Sequence, residues 1–169
     1  SGVPSSTDSV IIDKTSGGGF ITVTVSGITA SCAALVIDPN FIGDSLTVSF
    51  GGTLTVSRGI EIDGELSFLS GGGTVQLSGD WLLNGTFTPG TGKVRFFGSN
   101  SQSISGSTTF NDFIVNNVYN RLTVKADLIA SNFTSLNNIN VQNNIIAQKF
   151  IGDGTHITNI FAGDGTTNT

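Results

Sequence analysis

Charge is what this sequence has least of. Charged residues make up 11% of the 169-residue chain, seven Lys and Arg against twelve Asp and Glu, where about 25% is ordinary for a globular domain. The seven basic residues are scattered and the net charge is −5. That combination excludes nucleic acid as a partner, because binding it needs clustered Lys and Arg to displace counterions. No apolar run approaches the roughly 18 residues that a bilayer span requires, so membrane insertion is not expected. Cysteine is nearly absent too. Cys32 is alone and has no internal disulfide partner. Its setting, Cys32-Ala-Ala-Leu-Val-Ile37, predicts burial as a small hydrophobe, and the only histidine, His156, is too distant in sequence to suggest a catalytic pair. Methionine is missing altogether, and the chain begins Ser1-Gly2-Val3-Pro4, as expected of a processed or trimmed piece, so missing targeting signals carry no weight.

Neutral polar residues fill the gap. Gly accounts for 23 positions, Thr for 21, Ser for 20 and Asn for 15. Such a composition can mark disorder, but 37% of the chain is apolar, including 12 Phe, and the apolar residues are regularly placed. Ile21-Thr-Val-Thr-Val25, Leu46-Thr-Val-Ser-Phe50, Leu54-Thr-Val56, Ile60-Glu-Ile62, Leu66-Ser-Phe68, Val75-Gln-Leu77, Val94-Arg-Phe96 and Leu122-Thr-Val124 all alternate apolar with polar. A period of two is that of a strand with one buried face. Gly51-Gly52, Ser70-Gly-Gly-Gly73, Asn84-Gly85 and Pro89-Gly-Thr-Gly92 punctuate these runs as turns. No stretch of ten residues has helical period, so the chain is expected to be all-β.

Leu54, Val75, Val94 and Phe113 open similar triplets at nearly even intervals, each the length of one three-strand coil. This favours a solenoid of stacked coils over a Greek-key sandwich, which also has short, evenly spaced strands. The run from Trp81 to Asn117 contains Gly85-Thr-Phe87, Gly90-Thr-Gly-Lys-Val-Arg-Phe-Phe-Gly98, Gln102-Ser-Ile-Ser-Gly106, Phe110 and Ile114-Val-Asn-Asn117. It resembles repeats of large surface proteins of bacteria, notably Bacteroidetes-type bacteria, and of their phages. The resemblance implies a right-handed parallel β-helix and brings no catalytic residue with it.

Composition shifts after Asn117. From Asn116 to Asn144 asparagine is the commonest residue and glycine is absent, which reads as a neck. Beyond it Phe150-Ile-Gly-Asp-Gly-Thr155 recurs as Phe161-Ala-Gly-Asp-Gly-Thr166. That spacing leaves room for one strand and one tight turn, with Gly-Asp-Gly as the turn. Phe150, Gly152, Asp153, Gly154, Thr155, Ile157, Thr158, Asn159 and Ile160 also match an element of phage tail fibres and related fibre proteins, which the segment resembles. His156 stands where Gly is usual. The expected organisation is therefore a short right-handed parallel β-helix over 1–117, an Asn-rich neck over 118–149 and the start of thin fibrous β repeats over 150–169.

Few residues suggest chemistry. Glu61, Asp63 and Glu65 alternate with Ile60, Ile62 and Leu66, which would put three carboxylates on one strand face about 7 Å apart. Carbohydrate-active β-helix enzymes can use such a pair. A solvated strand face accounts for the pattern equally well, so the three stand only as carbohydrate-contact candidates. Asp153 and Asp164 could offer calcium its oxygen ligands, yet turn chemistry explains them, and no metal or other cofactor is expected. His156, stacked on a fibre axis with its symmetry mates, could act as a pH switch. Trp81, in Trp81-Leu-Leu83, is expected in the core rather than as a sugar platform.

The resemblance implies a non-enzymatic structural component of a virion, a phage fibre or spike segment for attachment or host contact. Its expected partners are other virion proteins and a host-surface glycan or protein receptor. A secreted bacterial adhesin or surface-layer protein at the cell surface is the first alternative, and a carbohydrate-active β-helix enzyme the second. Phe150, Ile157, Ile160 and Phe161 would stay wet in a single thin chain, which predicts a homotrimer wound around the repeats.

Overall fold

The computed structural model describes residues 4–12, 22–38, 45–68, 71–117, 122–135, 139–142 and 145–151. Sixteen strands occupy them: β1 (Ser9–Ile12), β2 (Thr22–Ser26), β3 (Thr29–Ile37), β4 (Ser45–Ser49), β5 (Thr53–Ile62), β6 (Glu65–Phe68), β7 (Thr74–Leu77), β8 (Asp80–Leu83), β9 (Thr86–Thr88), β10 (Lys93–Gly98), β11 (Gln102–Ser105), β12 (Thr108–Asn117), β13 (Leu122–Val124), β14 (Leu128–Ser135), β15 (Ile139–Val141) and β16 (Ile145–Ile151). Every strand pairing among the described residues is parallel. Each strand lies beside the one a coil earlier, and the whole is a β-solenoid of about five turns. A Greek-key sandwich, built from antiparallel pairs, is thereby excluded.

Each coil has three sides. One complete coil comprises β7, β8 and β9, and the coil beneath it comprises the two halves of β5 followed by β6. The first side stacks Ala30, Leu54, Val75, Val94, Phe113, Phe133 and Phe150 in one register column. The evenly spaced triplets of the sequence are thus the rungs of one ladder. The second side aligns Val10, Leu35, Ile60, Trp81, Ile104, Val124 and Val141. The third aligns Val23, Leu46, Leu66 and Phe87.

Alternation turns the middle of these columns inward. Leu35, Ile60, Val75, Trp81, Val94, Ile104, Phe113 and Val124 are all 2% exposed or less, while their strand neighbours reach the outer face. Stacked rings thread the core. Trp81 meets Phe87 edge-on at 5.0 Å, Phe110 lies 4.6 Å from Phe113, and Phe113 stacks on Phe133 at 5.5 Å. The Trp81 indole Nε1–H donates to Thr108 Oγ1 at 3.2 Å, so burying the ring strands no donor. This confirms the core placement expected for Trp81.

Coils pack closely enough that some corners admit only glycine. A Cβ on Gly79 would fall on the Arg58 carbonyl of the coil below. Gly72 has φ +58, and a Cβ there would approach the Thr91 carbonyl of the coil above at 2.5 Å.

The Asn-rich segment departs from the expected neck. β13 and β15 continue the second side from β11, and β14 and β16 continue the ladder from β12, so hydrogen-bonded coils run past residue 117 to Ile151. The physical reason lies in the inward set. Leu122, Val124, Leu128, Ala130 and Phe133 keep the inward positions, 0–4% exposed, while Asn132 is on the outer surface. Glycine is dispensable there because Lys125-Ala-Asp127 makes the corner, with the Lys125 N–H donating to Ile104 O at 2.9 Å. Of the expected fibrous repeat, Phe150 and Ile151 belong to β16, and residues 152–169 lie outside the described residues.

Trp81→Ala should destabilise the fold by about 3–5 kcal/mol, read as a lower midpoint in guanidinium unfolding. Trp81→Phe should cost markedly less, because it keeps most of the ring packing and gives up the hydrogen bond to Thr108 and a small part of the buried volume.

Candidate functional site

The three carboxylates singled out from the sequence do not share a strand. β5 ends at Ile62 and β6 begins at Glu65, with a corner between them where the N–H groups of Asp63 and Gly64 both donate to Ile37 O, at 2.8 and 2.9 Å. Glu61 therefore lies on the second side, in register with Val36 and Leu82. Glu65 opens the third side, in register with Ser45 and Thr86. Asp63 sits on the corner, where its Oδ1 accepts a 2.7 Å hydrogen bond from Asn84 Nδ2 of the next coil. The alternation was real but was interrupted by Asp63-Gly64, a turn signal. All three are half-buried.

Of the fibre-repeat residues, Phe150 is in register with Phe133. Gly152, Asp153, Gly154, His156, Ile157, Asn159, Ile160 and Phe161 lie outside the described residues. Among the described residues no group of three His, Cys, Asp or Glu side chains is placed to hold a metal ion, and no helix is long and apolar enough to cross a membrane.

The structure brings together a different set of residues. On the outer corner between the third and first sides, a groove of about 300 Å³ is lined by Gly51, Gly52, Thr53, Gly71, Gly72, Gly73, Thr74, Thr91, Lys93 and Asp112. Thr53, Thr74, Lys93 and Asp112 form one register column across four successive coils. The opposite charges of Lys93 and Asp112 are thus adjacent, and Asp112 Oδ1 also accepts from Asn132 Nδ2 at 2.7 Å. At the groove's lip Phe50 is 73% exposed. In the sequence the glycine pairs and triplets here read only as turns. That they stack coil upon coil into a trough depends on register, which no single turn reveals.

Compared with known proteins, the chain matches no protein-family model, no curated protein and no solved structure. Its chemistry rests on its own side chains.

Two buried polar features complete the picture. Asn117 Nδ2 donates to Asn100 O at 2.7 Å and to Gln102 Oε1 at 2.9 Å, and Gln102 Nε2 donates to the carbonyls of Leu77 and Gly79. These bonds fix a corner between the first and second sides. Cys32 is 2% exposed beneath the first side, in register with Val56, and burial pushes its thiol above the ordinary range. That matches a small hydrophobe and not a nucleophile, which needs a stabilised thiolate.

The sign of the Cys32 shift fixes a pH dependence. The unfolded thiol ionises near pH 8.5 while the folded thiol keeps its proton, so the unfolded chain binds fewer protons at higher pH and stability falls. Thermal unfolding of the wild type should show melting temperatures dropping more steeply above about pH 8.5 than those of Cys32→Ala. Equal slopes for the two proteins would contradict the burial argument.

Proposed function

We propose that the chain is a structural segment of a virion fibre or spike, from a phage, that serves attachment or host contact and has no enzymatic activity. The observation that supports this most is the parallel pairing of all the described strands, coil on coil, in a twelve-stranded and a four-stranded sheet. Such a ladder satisfies nearly every backbone group along the rod and buries a continuous core, which makes a stiff, protease-resistant element out of few residues. The likeness of the segment around Phe150–Ile160 to a tail-fibre element points the same way. The separation of Glu61 from Glu65 by a corner weighs against the paired-carboxylate enzyme. A bacterial surface adhesin is the second reading, favoured by the run from Trp81 to Asn117, whose resemblance extends to bacterial surface proteins.

Antibodies raised against the purified chain separate the two readings. Immunogold labelling of gradient-purified phage particles should decorate appendages. Label confined to bacterial envelopes would instead establish the adhesin.

The functional unit is read as a homotrimer joined through its C-terminal region. At the last described coil Ile145 is 38% and Ile146 55% exposed, although Leu128, in register with Ile145 one coil earlier, is 1% exposed. Burying side chains of that size is worth about 1.5–3 kcal/mol each. Light scattering on the intact chain at micromolar concentration should give the trimer mass, with Ile146→Asp, at a position exposed in the single chain, shifting it towards monomer through the charge it would bury. A monomer for the unsubstituted chain would refute the trimer.

A further inference from the structure

We propose that the corner groove is a glycan-binding site: it takes a short stretch of a neutral polysaccharide, with one sugar ring stacked on Phe50 and the following hydroxyls bonded by Thr53, Thr74, Lys93 and Asp112. The inference deepens the attachment reading, and it rests on that reading only for where the glycan is carried.

Phe50 is the first reason. Phe68, Phe96, Phe110, Phe113 and Phe133 are all 4% exposed or less, whereas Phe50 is 73% exposed. Its ring lies over Gly71 of the next coil, where an added Cβ would stand 2.9 Å from Phe50 Cδ2, and Gly71 lines the groove. Ile28, one coil earlier, is 58% exposed and is tied to the same corner by the Gly27 N–H donating to Phe50 O at 2.9 Å. A flat apolar lip thus borders a polar trough. A pyranose has the matching duality, an apolar face of C–H groups and a rim of hydroxyls.

The backbone of the trough is already committed. Thr74 N–H donates to Gly52 O, Lys93 N–H to Gly73 O and Asp112 N–H to Gly92 O, at 2.9, 2.9 and 3.2 Å. A peptide that recognises by adding a strand would find no free ladder there, so recognition falls to side chains. Those present suit hydroxyl groups, which both donate and accept. The Lys93 ammonium donates, Asp112 Oδ2 accepts, and the threonine hydroxyls do either. Lys93 and Asp112 are register neighbours of opposite sign, which leaves the groove without net charge. The chain as a whole carries −5, which disfavours an acidic polymer.

Spacing is the last reason. Successive coils stand about 4.8 Å apart, close to the length of one sugar residue. The column from Thr53 to Asp112 spans three such steps, or about 14 Å, which fits roughly three sugars. The groove volume of about 300 Å³ is at the lower end of ordinary ligand sites.

The test uses the intact chain with dextran, mannan and galactan as neutral probes and polygalacturonate as the acidic one, read by biolayer interferometry and saturation-transfer NMR. We expect saturable binding to at least one neutral probe and none to polygalacturonate. Phe50→Ala and Lys93→Gln should each weaken it about threefold to tenfold with melting temperature unchanged, because both residues are on the outside. Glu61→Gln, on another side of the solenoid, should bind as the wild type does. No binding to any of the three neutral probes, preference for polygalacturonate, or affinity unaltered by both groove substitutions would overturn the proposal. A chain that binds a neutral probe yet labels only bacterial envelopes would refute the virion reading and leave the groove standing. Labelled particles without glycan binding would do the reverse.

Discussion

The in-register parallel ladder is the constraint on which everything else in this molecule depends. A strand in a single coil has unpaired N–H and C=O groups on both edges, and only the coils above and below can satisfy them. Side chains alternate with a period of two, so a slip of one residue between coils would turn a whole apolar column outward. The first side shows how the chain avoids this. Its column advances from Leu54 through Val75, Val94, Phe113 and Phe133 to Phe150 by steps that are similar but not equal in length. Strand registers stay fixed while the corners absorb the variation.

That division of labour explains the composition. Inward positions hold Val, Ile, Leu, Phe and Trp81 because they must fill a narrow prism, and the rings of Trp81, Phe87, Phe110, Phe113 and Phe133 interlock over successive coils. Outward positions need only solubility and β-propensity, and Thr provides both without charge. Corners need tight turns beneath a neighbouring coil, which is why Gly79 sits where the Arg58 carbonyl leaves no room for a side chain. Glycine is absent between Gly106 and Gly152, and there the Lys125-Ala-Asp127 corner makes the turn with the strands of the next coil still in register.

A solenoid also turns local repetition into long surfaces. Any residue type that recurs at one corner becomes a stripe along the axis. The groove flanked by Phe50 arises in this way from Thr53, Thr74, Lys93 and Asp112, four residues whose only relation in sequence is one coil of separation. The same geometry disperses residues that are close in sequence. Glu61 and Glu65 are near neighbours along the chain yet lie on different sides of the prism.

Much of the architecture was therefore legible in advance, and for a physical reason. Alternation and an even coil-length period are properties of the chain itself, and they determine strands, a buried face and a coil. Trp81 and Cys32 could be assigned to the core because their neighbours are apolar. Composition misled where it stood in for pattern. The Asn-rich segment reads as a neck because asparagine is its commonest residue and glycine is absent, but what decides whether a coil continues is the inward set Leu122, Val124, Leu128, Ala130 and Phe133, and that set is intact. The carboxylates misled because alternation was followed across Asp63-Gly64, and whether the chain turns there depends on the Ile37 carbonyl waiting one coil below. By itself the sequence determined the strand, its inward face and the coil length, since each is a repeat along one chain. Only the tertiary structure decided which side each residue occupies and which residues share a surface, because both are set by register between coils, through hydrogen bonds to residues a full coil away.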